Sequence, residues 1–83
     1  MKTRIAIVSI IISNEDSVPK VNEILHNYRN YVIGRLGLPH KEKNLNIISI
    51  VIDAPETESS ALAGKLGMVE GVTSKTIYAP KQM

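Results

Sequence analysis

Hydrophobic residues run through this chain in two rhythms, and two of its segments have no polar side. Residues 45–53 place Ile48, Ile50 and Ile52 on one face of an extended chain and Leu45, Ile47, Ser49 and Val51 on the other. Residues 4–13 repeat the arrangement, with Ile5, Ile7, Ser9 and Ile11 opposite Ala6, Val8, Ile10 and Ile12. Both segments are rich in β-branched side chains, which predicts strands. Strands with no face made for water belong in the middle of a sheet. Two further strands are predicted. Residues 31–36 are shorter and more polar, as suits a sheet edge, and residues 69–79 carry Gly71 near their start and end before Pro80. The intervening residues 37–44 read as a polar loop.

The second rhythm is helical. Val18, Val21, Leu25, Tyr28 and Val32 recur at i, i+3 and i+4 spacing, with Ile24 widening the stripe, which predicts a helix over residues 17–29. Asn14 to Ser17 supply turn and cap chemistry, and Pro19 suits the first turn. Lys20, Glu23, Asn27 and Asn30 form the wet face, and Asn22, His26 and Arg29 lie along a flank. A second helix follows the cap-forming residues 53–58 and runs to about Leu66, with Leu62 and Leu66 inward and Gly67 placed to end it. Ala61, Ala63 and Gly64 are small enough to let it approach the sheet closely.

The order β-α-β-β-α-β predicts one ferredoxin-like α+β domain over residues 1–83: a four-stranded antiparallel sheet with both helices on one face. The two apolar strands are then neighbours at the sheet centre. The other face is bare. Ile5, Ile7, Ile11, Ile47 and Val51 line it, with Ser9 and Ser49 as its polar interruptions, so these seven are the candidate oligomer interface. Even half burial of the five apolar side chains sums to about 5 kcal/mol, comparable to the whole stability of a small domain. Such a patch marks a binding surface, and a second copy of the chain is its expected partner, in a dimer or a tetramer.

Composition narrows the remaining choices. The chain has no cysteine, which removes disulfides, thiolate metal sites and a cysteine nucleophile. A net charge of +2 with acids and bases interleaved, and no Phe or Trp, argues against direct nucleic-acid binding. No apolar run reaches the roughly 18 residues of a membrane span, and residues 5–12 read as a strand rather than a signal-peptide core. The cytoplasm is the expected compartment. No Ser/His/Asp set or supported carboxylate pair is visible, so catalysis is not expected. His26 and His40 lack ligands at helical spacing, and no metal or cofactor is called for. Residues 64–67 (Gly-Lys-Leu-Gly) lack the spacing of a phosphate loop.

Three segments carry a family resemblance: Asn22 to His26, the run Gly34-Arg35-Leu36-Gly37-Leu38-Pro39, and residues 61–67 with Gly71 and Val72 beyond. Together with the isoleucine-rich strands they resemble the small iron-only hydrogenase system regulators. That resemblance implies a regulatory link to hydrogenase expression or maturation and no established reaction. The family's fold is similar to ACT domains and to the C-terminal domain of nickel-responsive regulators, which are oligomeric ligand sensors. By that analogy the expected function is a non-catalytic, homo-oligomeric regulatory domain that senses a small molecule at a subunit interface, and the loop at Asn14, with Asn22, either makes polar contacts to that effector or simply caps the helix. Arg35, between Gly34 and Gly37, has two readings. Its guanidinium forks onto a carboxylate or phosphate, or it is solvated or paired to an acidic neighbour in a turn whose glycines take positive φ. The candidate ligand residues are therefore Asn14, Asn22, Arg35 and Gly37. A docking module that receives a maturation or transcription factor through the bare sheet face is the alternative function.

Overall fold

A computed structural model describes residues 2–80. The chain runs β1 (Arg4–Ile12), α1 (Val18–Asn27), β2 (Val32–His40), β3 (Leu45–Ala54), α2 (Glu56–Gly67) and β4 (Val72–Tyr78), with 3-10 turns at Glu15–Ser17, Arg29–Tyr31 and Lys41–Lys43. The strands form one antiparallel sheet in the order β2-β3-β1-β4. This is the ferredoxin-like arrangement, and the two apolar strands are its central pair.

Strict alternation decides which residues are covered. Ala6, Val8, Ile10 and Ile12 are fully buried, while Ile5, Ile7 and Ile11 between them stay about two-fifths exposed, at 43%, 39% and 43%. Their buried partners across the β1/β3 ladder are Ile52 opposite Ala6, Ile50 opposite Val8 and Ile48 opposite Ile10. Val21, Ile24, Leu25 and Tyr28 of the α1 region and Leu62 and Leu66 of α2 close over this side. Each such side chain contributes about 1.5–3 kcal/mol on full burial. Among the described residues, no helix is long and apolar enough to cross a membrane.

Two strand boundaries differ most from the sequence reading. The second strand does not stop at residue 36 but continues to His40, because it stays paired with β3 through Leu38↔Ile47, Pro39↔Asn46 and His40↔Leu45. Pro39 is tolerated there since β2 is an edge strand. Gly34 and Gly37 are consequently extended, not turn residues; the left-handed positions among the described residues are Asn44, at φ 54°, and Gly71, at φ 74°. The last strand begins at Val72, because Val69 and Val72 donate to Leu66 and Val69 carbonyls in the preceding turn. Gly64 also has a different role from the one expected. It faces outward, and a Cβ placed on it would meet nothing within 4 Å. Ser59, 1% exposed, lies on the buried side of the helix with Leu62 and Leu66.

The turn after β1 is stapled to the turn before β4. The Ser13 amide donates to the Gly71 carbonyl at 2.8 Å, and the Ser17 hydroxyl donates to the Glu70 carbonyl at 2.7 Å. Gly71 sits so close that an added Cβ would lie 2.7 Å from Asn14 Cβ.

Candidate functional site

One extra residue in β2 places the site. Val32 lies opposite Ile52, but Gly34 lies opposite Val51, so β2 advances two residues while β3 advances one. Ile33 is the surplus residue of a bulge and is 63% exposed. Because side chains alternate faces, that single insertion exchanges the two sides of the rest of the strand. Arg35, opposite buried Ile50, is delivered to the helix side. Leu36 and Leu38, opposite Ser49 and Ile47, are delivered to the open side.

On the helix side, Arg35 meets α1. Its Nη2 donates to Asn22 Oδ1 at 2.7 Å, joining residues thirteen apart in sequence. Asn22, His26 and Arg29 fall at i, i+4 and i+7, one above another on the helix flank. Arg29 folds back so that its Nη1 donates to the His26 carbonyl at 2.9 Å, a favourable place for a cation at a helix C-terminus. Between these side chains lies an open cleft of about 520 Å³, with half-buried Val32 at its base and the buried Leu25 and Ile50 beneath. Among the described residues, no acidic side chain lines it. Among the described residues neither Arg29 nor Arg35 has a carboxylate partner, whereas the third arginine, Arg4, pairs with Glu56 at 2.8 Å and lies over the Tyr78 ring.

Of the four candidate ligand residues, Asn22 and Arg35 are thus brought into direct contact. Asn14 stands apart, at the β1–α1 turn, where its side chain accepts from the Asp16 amide. Gly37 lies opposite Ile48, on the same face of β2 as Arg35 but beyond the cleft lining. His26 and Arg29 complete the cleft; their shared flank with Asn22 was the signal for them in the sequence. His40 lines a separate hollow of about 430 Å³ at the end of the sheet, with Ser13, Lys41 and Asn46 among its walls. Among the described residues, no group of three or more His, Cys, Asp or Glu side chains is placed to hold a metal ion. The Gly64–Gly67 segment is the last turn of α2, with Lys65 over the Tyr28 ring.

The opposite side of the sheet is organised in rows running across the strands. Leu38, Ile47 and Ile11 form one apolar row, and Val51, Ile7 and Ile77 form another. Between them runs Leu36, Ser49, Ser9 and Lys75, so the two serines sit side by side near the centre of the face. Ile5 extends the patch beyond the second row. All seven residues expected at an oligomer interface share this face.

Comparison with known proteins places the fold in a family. The family model TM1266-like, described as "Iron-only hydrogenase system regulator, putative", matches residues 4–76. The chain belongs to this family. A solved relative, the uncharacterized protein TM1266 from Thermotoga maritima, is 35% identical and superimposes with a TM-score of 0.91 over 95% of this chain and 100% of that one. The fold also recurs at 16% identity in two larger proteins. One is a formyltetrahydrofolate deformylase from Pseudomonas putida KT2440, with a TM-score of 0.65 over 92% of this chain and 29% of that one. The other is an unknown protein from Galdieria sulphuraria, with a TM-score of 0.64 over 99% and 48%. At that identity they speak to the fold alone. No curated protein matches the sequence.

Proposed function

We propose that this member of the hydrogenase-system regulator family is a non-catalytic regulatory domain that assembles into a homo-oligomer through its open sheet face and senses a small molecule in the cleft on the other side of the same sheet. The observation that carries this reading is the size and continuity of the apolar face. Ile5, Ile7, Ile11, Leu36, Leu38 and Ile77 are between 39% and 65% exposed. Six neighbouring aliphatic residues this exposed on one face form the kind of patch that marks an interaction surface. The face also suits a second copy. A two-fold axis along the central row would lay Ser9 and Ser49 over their counterparts and Ile7 and Val51 over Ile11 and Ile47, while setting Lys75 of the edge strand against its own counterpart at the rim.

Sensing follows from the way β2 serves two surfaces. Arg35 reaches into the cleft while its neighbours Leu36 and Leu38 face the open side. A ligand that draws Arg35 therefore acts on the same strand that borders the interface, and a shift of one is felt by the other.

Size-exclusion chromatography with light scattering tests the assembly. The parent chain is expected as a dimer or tetramer at micromolar concentration, and Ile7→Lys, which sets a charge in the middle of the face, is expected as a folded monomer. A parent that is a clean monomer at that concentration sinks the oligomer reading, and a stable complex of that monomer with another purified protein through this face makes it a docking module instead.

A further inference from the structure

The cleft between α1 and β2 has the chemistry of an anion site, and assigning its ligand class deepens the sensing part of the function proposed above. Both guanidiniums are held by neutral acceptors: Arg35 by the Asn22 side chain at 2.7 Å and Arg29 by the His26 carbonyl at 2.9 Å. Each of these bonds fixes a side chain without cancelling its charge, and each leaves most of the five guanidinium donors unspent. Two like charges facing one cleft repel, and a domain that needed them only for solubility would gain by separating them. The nearest acid on the same helix, Glu23, is engaged with Lys20 at 3.6 Å and is not part of the cleft wall. Arg4 shows the contrasting arrangement, a guanidinium neutralised by Glu56 and packed on an aromatic ring.

We propose that this cleft binds a small organic oxyanion, with Arg29 and Arg35 gripping the charged group and half-buried Val32 offering apolar contact to a short carbon body. A planar fork of N–H donors matches the oxygens of a carboxylate or a phosphate. Val32 gives such a ligand a modest advantage over a bare inorganic anion, since apolar contact adds affinity only where the ligand has carbon to bury. A volume of about 520 Å³ lies within the range of small-molecule pockets, roughly 300–1,000 Å³. Asn22 is the positioning residue: its Oδ1 orders Arg35, and its amide N–H₂ stays available to a ligand oxygen.

The test is an amide-resolved NMR titration of the full chain with butyl phosphate, butyrate and inorganic phosphate at fixed ionic strength. Saturable shifts are expected at the amides of His26, Arg29, Val32 and Arg35 with butyl phosphate, butyrate or both, and the stronger of the two reports which head group the site prefers. Inorganic phosphate is expected to bind a few-fold more weakly than butyl phosphate, the advantage of one partly exposed apolar side chain. Arg29→Gln or Arg35→Gln should each weaken binding about tenfold, the loss of one charge-assisted contact, with amide shifts elsewhere unchanged. Absence of saturable shifts at these amides with every probe up to about 10 mM overturns the proposal, as does binding that survives both substitutions. Failure here with the oligomer intact removes the anion site and leaves the assembly standing. A monomeric parent that still binds butyl phosphate does the reverse.

Discussion

Gly71 is the position where a single methyl group has the largest consequence that the backbone itself predicts. Its φ of 74° is left-handed, which costs an alanine about 1–2 kcal/mol. The new Cβ would also stand 2.7 Å from Asn14 Cβ and 3.0 Å from the Asn14 amide nitrogen, where carbon contacts are comfortable only near about 3.5–4.0 Å. Neither of those atoms is the tip of a flexible side chain, so the two turns have to part. Parting them stretches the Ser13 amide bond to the Gly71 carbonyl and the Ser17 hydroxyl bond to the Glu70 carbonyl, each worth about 1 kcal/mol. Gly71→Ala should therefore lose about 2–4 kcal/mol, a large part of the stability of a domain this small. Urea denaturation at one fixed protein concentration measures it, since oligomerisation makes stability depend on concentration. Gly64→Ala is the matched control. It makes the same chemical change on the open face of α2, where a Cβ touches nothing, and should gain about 0.5–1 kcal/mol. Asn14→Gly in the Gly71→Ala background removes the Cβ–Cβ part of the clash and leaves φ and the contact to the amide nitrogen unchanged; the cycle with the single variants isolates that part. A Gly71→Ala protein within about 0.5 kcal/mol of the parent would refute the reasoning, for it would mean that the turn accepts a side chain without moving.

Two further perturbations probe the fold that holds the surfaces in place. Ser17→Ala removes the hydroxyl that donates to the Glu70 carbonyl at 2.7 Å and should cost about 1 kcal/mol by urea denaturation, leaving far-ultraviolet circular dichroism unchanged; no loss would show that the staple is not used. Leu62→Ala opens a cavity where α2 meets the sheet, at a side chain with no exposure, and should cost about 2–5 kcal/mol, with less than 1 kcal/mol marking a core that collapses around the gap.

Much of the architecture was readable from alternation alone. Two segments with no wet side have to be central strands, and once Ala6, Val8, Ile10 and Ile12 go inward, Ile5, Ile7, Ser9 and Ile11 have to go outward. That is why the open face could be assigned residue by residue on β1 and β3. The weaker pattern of residues 31–40 could not be treated the same way. Gly37 and Pro39 look like a loop, and only pairing with β3 shows that the strand runs on past residue 36 to His40, because a neighbour's hydrogen bonds outweigh weak local propensity.

Sequence by itself determined the topology, the buried faces of the central strands and the apolar character of the sheet's open side, since each depends on period and chain order. Tertiary structure alone decided the bulge at Ile33 and, through it, the parity of everything after Gly34. A strand without that extra residue would carry Arg35 to the open face and Leu36 and Leu38 to the helices. With it, the guanidinium reaches Asn22 and the leucines join the apolar patch. Gly34 is a hint of such a bulge, but its position depends on which residue of β3 each partner finds, and that register is a property of two strands at once.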